Sequence, residues 1–244
     1  STAALAPLDL ESRERVLDVG CGTGELAGVL AAEMPGEVVC VDADTELLAV
    51  ARERTGLPVL AGDATRLPVR DDAADLVVCQ ALLINLPDPA AAVREFVRVS
   101  SDLVAAIEPN NAAVEVASTV DAEERLEREV REAYLAGVET DVAMGERVRD
   151  LFESAGLEVV DRRTYRHEKL VEPPYSEPAM ESAARKASGA GIAEHERELR
   201  AAGADYDELR AAWREMGRAV VDEMGEEAYR RREVVPFEVT VGRV

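Results

Sequence analysis

The chain has 244 residues, 47% of them hydrophobic, which suits one domain with an ordinary core and a small appendage. Fifty Asp+Glu stand against 28 Lys+Arg, a formal net charge of −22. That balance disfavours nucleic acid as a partner. No apolar run approaches the ~20 residues of a membrane helix, so no membrane partner is expected.

Lys169 and Lys186 are the two lysines, so the basic residues are almost all arginine. So acidic a surface repels itself unless salt screens it, with a Debye length of about 3 Å at 1 M, and the composition reads as halophilic. No secretory leader is visible, which points to the cytoplasm. Ser1 is not a methionine, and the native start is left open. Cys21, Cys40 and Cys79 are odd in number and lack metal-ligand spacing, so reduced thiols and no metal are expected.

In chain order, short apolar runs alternate with amphipathic stretches, the pattern of a parallel sheet flanked by helices. Strands are expected at Arg15–Val19, Glu37–Val41, Val59–Ala61, Ala74–Cys79, Leu103–Ile107 and Leu157–Tyr165. Helices are expected at Glu25–Glu33, Thr45–Arg54, Ala90–Val99, Ala122–Leu135 and Glu146–Ala155, with Gly156 closing the last. Asp44 suits the cap of the second helix. Leu126, Val130 and Tyr134 share one face of the fourth.

The last third changes character. The run "EPPYSEP", Glu172–Pro178, breaks regular structure. A polar helical region follows to Arg232, with Tyr206, Leu209, Trp213, Met216, Val220 and Met224 near the 3.6-residue period and Asp205 placed to cap them. Glu233–Val241 returns to strand composition.

The stretch "VLDVGCGTGELA", Val16–Ala27, reads strand, glycine loop, helix. Glycine lets the backbone turn sharply and touch a ligand, and the helix start behind it offers unpaired N–H groups to an anion. Asp42 ends the next apolar run, at about the spacing of a carboxylate that accepts from ribose hydroxyls. A nucleoside-containing ligand fits both features. A dinucleotide fits less well, because its fingerprint is G-x-G-x-x-G and this loop is G-x-G-x-G. Asp18, two residues before the first glycine, would also repel a pyrophosphate. It suits a ligand with an ammonium and a sulfonium, as S-adenosylmethionine has.

"VLDVGCGTGELA" resembles the first motif of the class I S-adenosylmethionine-dependent methyltransferases, of the ubiquinone/menaquinone-methylase-like group. "VDADTELLAVAR", Val41–Arg52, resembles their second motif, and "AGDATRLPVRDDAADLVVCQALLINLPDP", Ala61–Pro89, their third and fourth. The likeness runs in order from Arg15 to about Leu103. It departs at Ile84-Asn85, where many members have a histidine, and at "VSSDL", where they have a proline-glycine turn.

The resemblance implies a Rossmann-like α/β fold with seven mostly parallel strands in the order 3-2-1-4-5-7-6, the seventh antiparallel, helices on both faces, and a helical lid between strands six and seven. Residues 1–172 with 233–244 would form the cofactor domain, and 173–232 the lid and substrate-recognition insertion. The cofactor would be S-adenosyl-L-methionine and the product S-adenosyl-L-homocysteine. Asp18, Gly20, Cys21, Gly22 and Gly24 would line the methionine end. Asp42 would hold the ribose beside Ala43, Asp63 and Ala64 would meet the adenine, and Gln80 and Ala81 would border the sulfonium.

The acceptor is less legible. A small molecule is the leading expectation, beside RNA or protein as acceptor, a non-catalytic cofactor-binding protein, and an NAD-dependent oxidoreductase. Candidates for a general base are His167, Glu108 and Tyr175. The basic clusters Arg162–Lys169 and Tyr229–Glu233 are expected to be neighbours, either as an anion site or as arginines balancing surface carboxylates. The "EPPY" at Glu172–Tyr175 is similar to the signature of DNA-base methylation but lies far from strand four, which argues against that reading. A homodimer is compatible with the chain.

Overall fold

The computed structural model describes residues 2–138 and 144–244. The elements in chain order are β1 (Arg15–Val19), α1 (Glu25–Glu33), β2 (Glu37–Asp42), α2 (Thr45–Thr55), β3 (Val59–Ala61), β4 (Ala74–Gln80), α3 (Pro89–Val99), β5 (Ser100–Pro109), β6 (Glu115–Ser118), α4 (Asp121–Gly137), α5 (Met144–Ser154), β7 (Glu158–Val171), α6 (Glu177–Ser188), α7 (Ala190–Ala193), α8 (Glu196–Ala201), α9 (Tyr206–Gly225) and β8 (Arg231–Arg243).

The strands join in the order β3-β2-β1-β4-β5-β8-β6, with β7 paired to β8. Pairing is parallel from β3 through β5, and β8 runs antiparallel to both β5 and β6. This is the expected Rossmann-like α/β sheet: β7 and β8 are the sixth and seventh strands of the seven-strand scheme, in the order 5-7-6. The short β6 is an addition that the sequence pattern did not announce.

The chain divides into two compact units. The first comprises Ser1–Asn110, Ala143–Tyr165 and Pro236–Val244; the second comprises Asn111–Val142 and Arg166–Val235. The second is therefore larger than the expected insertion at 173–232, because it also takes β6 and α4. The reason is burial: Val120 and Leu126 join Ile192, Leu199, Tyr206, Leu209, Trp213, Met216 and Val220 in one apolar cluster. A helix with such a face cannot stand alone in water, and its partners lie far along the chain.

In the first unit the apolar runs become strands buried on both faces, as a parallel sheet requires. Val16, Leu76, Val77 and Val78 are fully covered. Helix starts are fixed locally: the Asp44 carboxylate accepts from the Glu46 and Leu47 N–H groups at the start of α2, and Asp88 accepts from Ala91 ahead of Pro89 in α3. In the second unit Asp205 accepts from the Glu208 N–H and starts α9.

Candidate cofactor site

The glycine loop leaves β1 with three residues in the left-handed region: Gly20 at φ 72°, Gly22 at 53° and Gly24 at 80°. Backbone hydrogen bonds tie it to the end of β2. The Gly20 and Cys21 N–H groups donate to the Val41 carbonyl at 2.7 and 3.1 Å. A side chain completes the tie: Asp42 Oδ2 accepts from the Gly22 N–H at 2.9 Å and Oδ1 from the Asp44 N–H at 2.9 Å. A carboxylate has about four acceptor positions, so Asp42 braces the loop and keeps capacity for further donors.

A Cβ on Gly20 would come 2.7 Å from Leu82 Cδ1, whereas one on Gly22 would meet nothing within 4 Å. The loop is thus pressed against the segment after β4 on one side and open on the other. Ala43 beside it is exposed. From the end of β3, the Gly62 N–H donates to the Asp42 carbonyl at 2.9 Å, which brings the next expected pair alongside. Asp63 is exposed and accepts from the Thr65 N–H and hydroxyl, both at 2.8 Å, which lowers its pKa; Ala64 is buried behind it.

Asp18 is 1% exposed, and neither of its carboxylate oxygens makes a hydrogen bond. Burial pushes its pKa up to about 7; the nearby Ala27 N–H counters this in part, and the Asp42 charge adds to it.

Gln80 ends β4 on the surface, and Ala81 follows at φ 50°, its N–H donating to the Ile107 carbonyl at 2.9 Å. A non-glycine residue held there needs its neighbours to fix it. Glu108, at the end of β5 and fully buried, does so. Its Oε1 accepts from the Leu82 and Leu83 N–H groups at 3.0 and 2.9 Å, its Oε2 from Ile84 at 3.3 Å, and the Cys79 thiol lies 3.8 Å from Oε1. Burial raises its pKa to about 7, and those donors hold it from rising further. Glu108 was expected among the general bases; in the structure its oxygens are taken up by the loop that carries Leu82. The part played by Leu82 had no signal in the sequence, since its contact with Gly20 depends on β1 and β4 lying side by side.

The other two base candidates belong to the second unit. His167 is half-buried on β7, and the Tyr175 hydroxyl donates to the Tyr229 carbonyl at 3.0 Å. In the same unit the basic clusters find carboxylates. Arg166 meets Glu115 at 2.7 Å, Lys169 meets Glu233 at 3.6 Å, Arg231 meets Glu127 and Glu233 at 2.6 Å each, and Arg232 pairs with Glu168. Arg230 instead donates to the Glu227 and Tyr229 carbonyls. Charge balance therefore accounts for most of these arginines. The three cysteines are free and buried.

Asp18, the glycine loop, Asp42, Asp63 and the Gln80–Leu82 segment all sit at the carboxyl ends of parallel strands, where open α/β sheets bind ligands. Residues 17–102 match the family model described as methyltransferase domain. Those residues form a class I S-adenosylmethionine-dependent methyltransferase domain.

The chain is 38% identical over 104 residues to a demethylmenaquinone methyltransferase of Lactiplantibacillus plantarum, covering 39% of this chain and 44% of that protein. The chain spans less than half the length of the curated relatives it matches first. Among solved structures, a Bacillus halodurans protein provisionally named a methyltransferase shares the fold with TM-score 0.56 and 16% identity, over 98% of this chain and 97% of that one. The [4+2]-cyclase SpnF shares it too, with TM-score 0.51 and 18% identity over 99% and 80%. The fold alone therefore leaves the reaction open. Among the described residues no helix is long and apolar enough to cross a membrane, and no group of His, Cys, Asp and Glu could hold a metal ion.

Proposed function

We propose that this chain transfers a methyl group from S-adenosylmethionine to a small-molecule acceptor. The observation that carries the reading is Asp18: a buried carboxylate with no hydrogen-bond partner calls for a cation, and a phosphate bridge beside it would raise its cost further. S-adenosylmethionine brings an ammonium, together with a sulfonium whose methyl is activated for in-line displacement.

In this reading Asp18 answers the ammonium, and the open side of Gly22 lets the ligand approach the backbone. The N–H groups opening α1 face its carboxylate. Asp42 takes the ribose hydroxyls with Ala43 beside the adenine, which Asp63 and the Ala64 N–H recognise. Gln80 and Ala81 border the reacting sulfur. Leu82, Leu83 and Ile84, held by Glu108, exclude water from that side, and a transfer of this kind rests mostly on orientation in a dry pocket.

In this reading the 173–232 insertion recognises the acceptor. Support comes from connectivity: the insertion runs between β7 and β8, and the chain returns to the first unit for the last time at Pro236, whose carbonyl accepts from the Asn110 N–H at 2.8 Å at the carboxyl end of β5. The likeness to a demethylmenaquinone methyltransferase supports a small molecule over a macromolecule as acceptor.

Calorimetric titration with S-adenosylmethionine, S-adenosylhomocysteine and NAD tests the cofactor. Binding of the first two without NAD is expected; NAD binding with neither of the others removes the reading. Methyl turnover in a cell extract freed of macromolecules then tests the acceptor class.

A further inference from the structure

Two carboxylates near the carboxyl ends of the parallel strands are buried without a counter-charge, and they differ in what their oxygens do. Asp18 lies near the end of β1 and Glu108 near the end of β5, with β4 between those strands. The Asp18 oxygens have no hydrogen-bond partner. The Glu108 oxygens are occupied: Oε1 accepts from the Leu82 and Leu83 N–H groups at 3.0 and 2.9 Å, and Oε2 from Ile84 at 3.3 Å. Amides bring dipoles and no net charge, so Glu108 is satisfied in hydrogen bonds and unsatisfied in charge.

Among the described residues no cation is paired with it. The residue opposite Glu108 on β8 is Glu238, itself a carboxylate, which accepts from the Thr164 hydroxyl at 2.9 Å and stands 3.7 Å from Arg162. On β4 the buried Cys79 thiol lies 3.8 Å from Glu108 Oε1. Burial, then the charges of Glu108 and Asp18, push the pKa of that thiol well up. The fields of the two carboxylates therefore overlap at the end of β4, just ahead of Gln80 and Ala81.

A ligand with two positive centres matches this pair when one centre donates hydrogen bonds and the other does not. An ammonium has three donors for the empty oxygens of Asp18. A sulfonium has no N–H or O–H; it needs charge alone, and charge alone is what Glu108 has left.

We propose that Glu108 is the counter-charge for the sulfonium and makes the site favour S-adenosylmethionine over S-adenosylhomocysteine. This rests on the cofactor reading above. The two ligands share their ammonium, ribose and adenine, so Asp18, Asp42 and Asp63 meet the same groups in both. They differ by one methyl and one positive charge. Methyl transfer leaves an electron pair on sulfur and carries the positive charge away with the methyl, so Glu108 holds the loaded cofactor and releases the spent one. It serves cofactor exchange and not the transfer step, because the charge that it attracts is leaving the sulfur.

Calorimetric titration of the full chain with each ligand at about pH 8, above the pKa of about 7 that burial gives Glu108, tests the proposal. The parent should bind S-adenosylmethionine about tenfold more tightly, a modest coupling for unit charges at an effective dielectric constant of about 20. Glu108→Gln keeps an acceptor for the Leu82 and Leu83 amides but has no charge. It should lower the ratio of the two affinities by about tenfold and leave S-adenosylhomocysteine within about threefold of the parent. Glu108→Asp keeps the charge and should keep most of the ratio even where both affinities fall. Asp18→Asn should weaken both ligands by a similar factor.

Melting curves check that each variant is folded, and the preference of the parent needs no variant. Equal losses for both ligands in Glu108→Gln mean that Glu108 only shapes the loop, and they overturn the proposal. So does a parent without the preference, an Asp variant no better than the Gln one, or an Asp18→Asn ratio that shifts as far. A parent that binds neither ligand removes the cofactor reading as well, whereas one that binds both and keeps its ratio in Glu108→Gln overturns this proposal alone.

Discussion

In the first unit the two most deeply buried carboxylates, Asp18 and Glu108, have no cationic partner among the described residues; in the second, Glu123 and Glu127 meet Lys186, Arg231 and the Tyr229 hydroxyl. The consequences are opposite. Burial lifts Asp18 and Glu108 to a pKa of about 7. Burial also pushes Glu127 up, but Lys186 and Arg231 more than offset it and leave that carboxyl below its usual range. A buried charge without a counter-charge is a cost that persists where a ligand relieves it, whereas a paired network relieves itself. The difference separates a binding site from a structural joint, and each half of it can be broken.

The largest effect is expected in the joint. Glu123 is fully buried, accepts from the Tyr229 hydroxyl at 3.0 and 2.9 Å and from the Ser118 hydroxyl at 2.5 Å, and pairs with Lys186. Glu123→Ala leaves those donors without their acceptor and should cost about 3–5 kcal/mol in urea unfolding. A loss below about 1 kcal/mol would mean that the network is solvated and that the comparison fails on this side.

Asp18→Asn should act in the reverse sense. The folded pKa of Asp18 is raised, from 3.8 to about 7, so the native state holds an extra proton between those values. The stability contributed is full below about pH 4 and is lost as pH rises through 7. Without ligand, the Asn variant should therefore be more stable than the parent at pH 8, and its melting temperature should fall less between pH 4.5 and pH 8; Glu108 keeps its own share of that slope. In the same variant, affinity for S-adenosylmethionine should drop by about 100-fold, within the usual cost of removing one charge from a buried pair. A variant that loses stability at pH 8 while keeping its affinity would show that Asp18 serves the fold.

The legible parts of the chain are those whose cause is local. The Asp44 and Asp205 caps, the glycine loop and the apolar runs of β1 to β5 each follow from a few adjacent residues, and the structure has them in place. β6 escaped because Glu115–Ser118 carries no period of its own and exists through pairing with Arg231–Val234. The limits of the second unit escaped for the same reason, since the face of α4 is defined by helices much later in the chain. β7 was expected to stop at Tyr165; it continues to Val171 because alternating charge is compatible with a strand whose faces stay wet. At the site, residue types suggest the proposed ligand, while the clamp from Glu108 to the amides of Leu82, Leu83 and Ile84 could be seen only once β4 and β5 lay side by side.

The smallest effects distinguish two glycines of one loop. Gly20→Ala places a Cβ 2.7 Å from Leu82 Cδ1 at φ 72°, so it should cost about 1–2 kcal/mol for the left-handed backbone plus whatever Leu82 gives up in moving aside. Adding Leu82→Ala should recover the second part and leave the first. Gly22→Ala at φ 53° meets nothing, so only the backbone share should appear in unfolding, yet its Cβ points into the space that the proposed ligand approaches. Stability should therefore fall more in Gly20→Ala and cofactor affinity more in Gly22→Ala. Finding the two losses ranked together would mean that both glycines serve the turn alone, and that the open side of the loop faces no ligand.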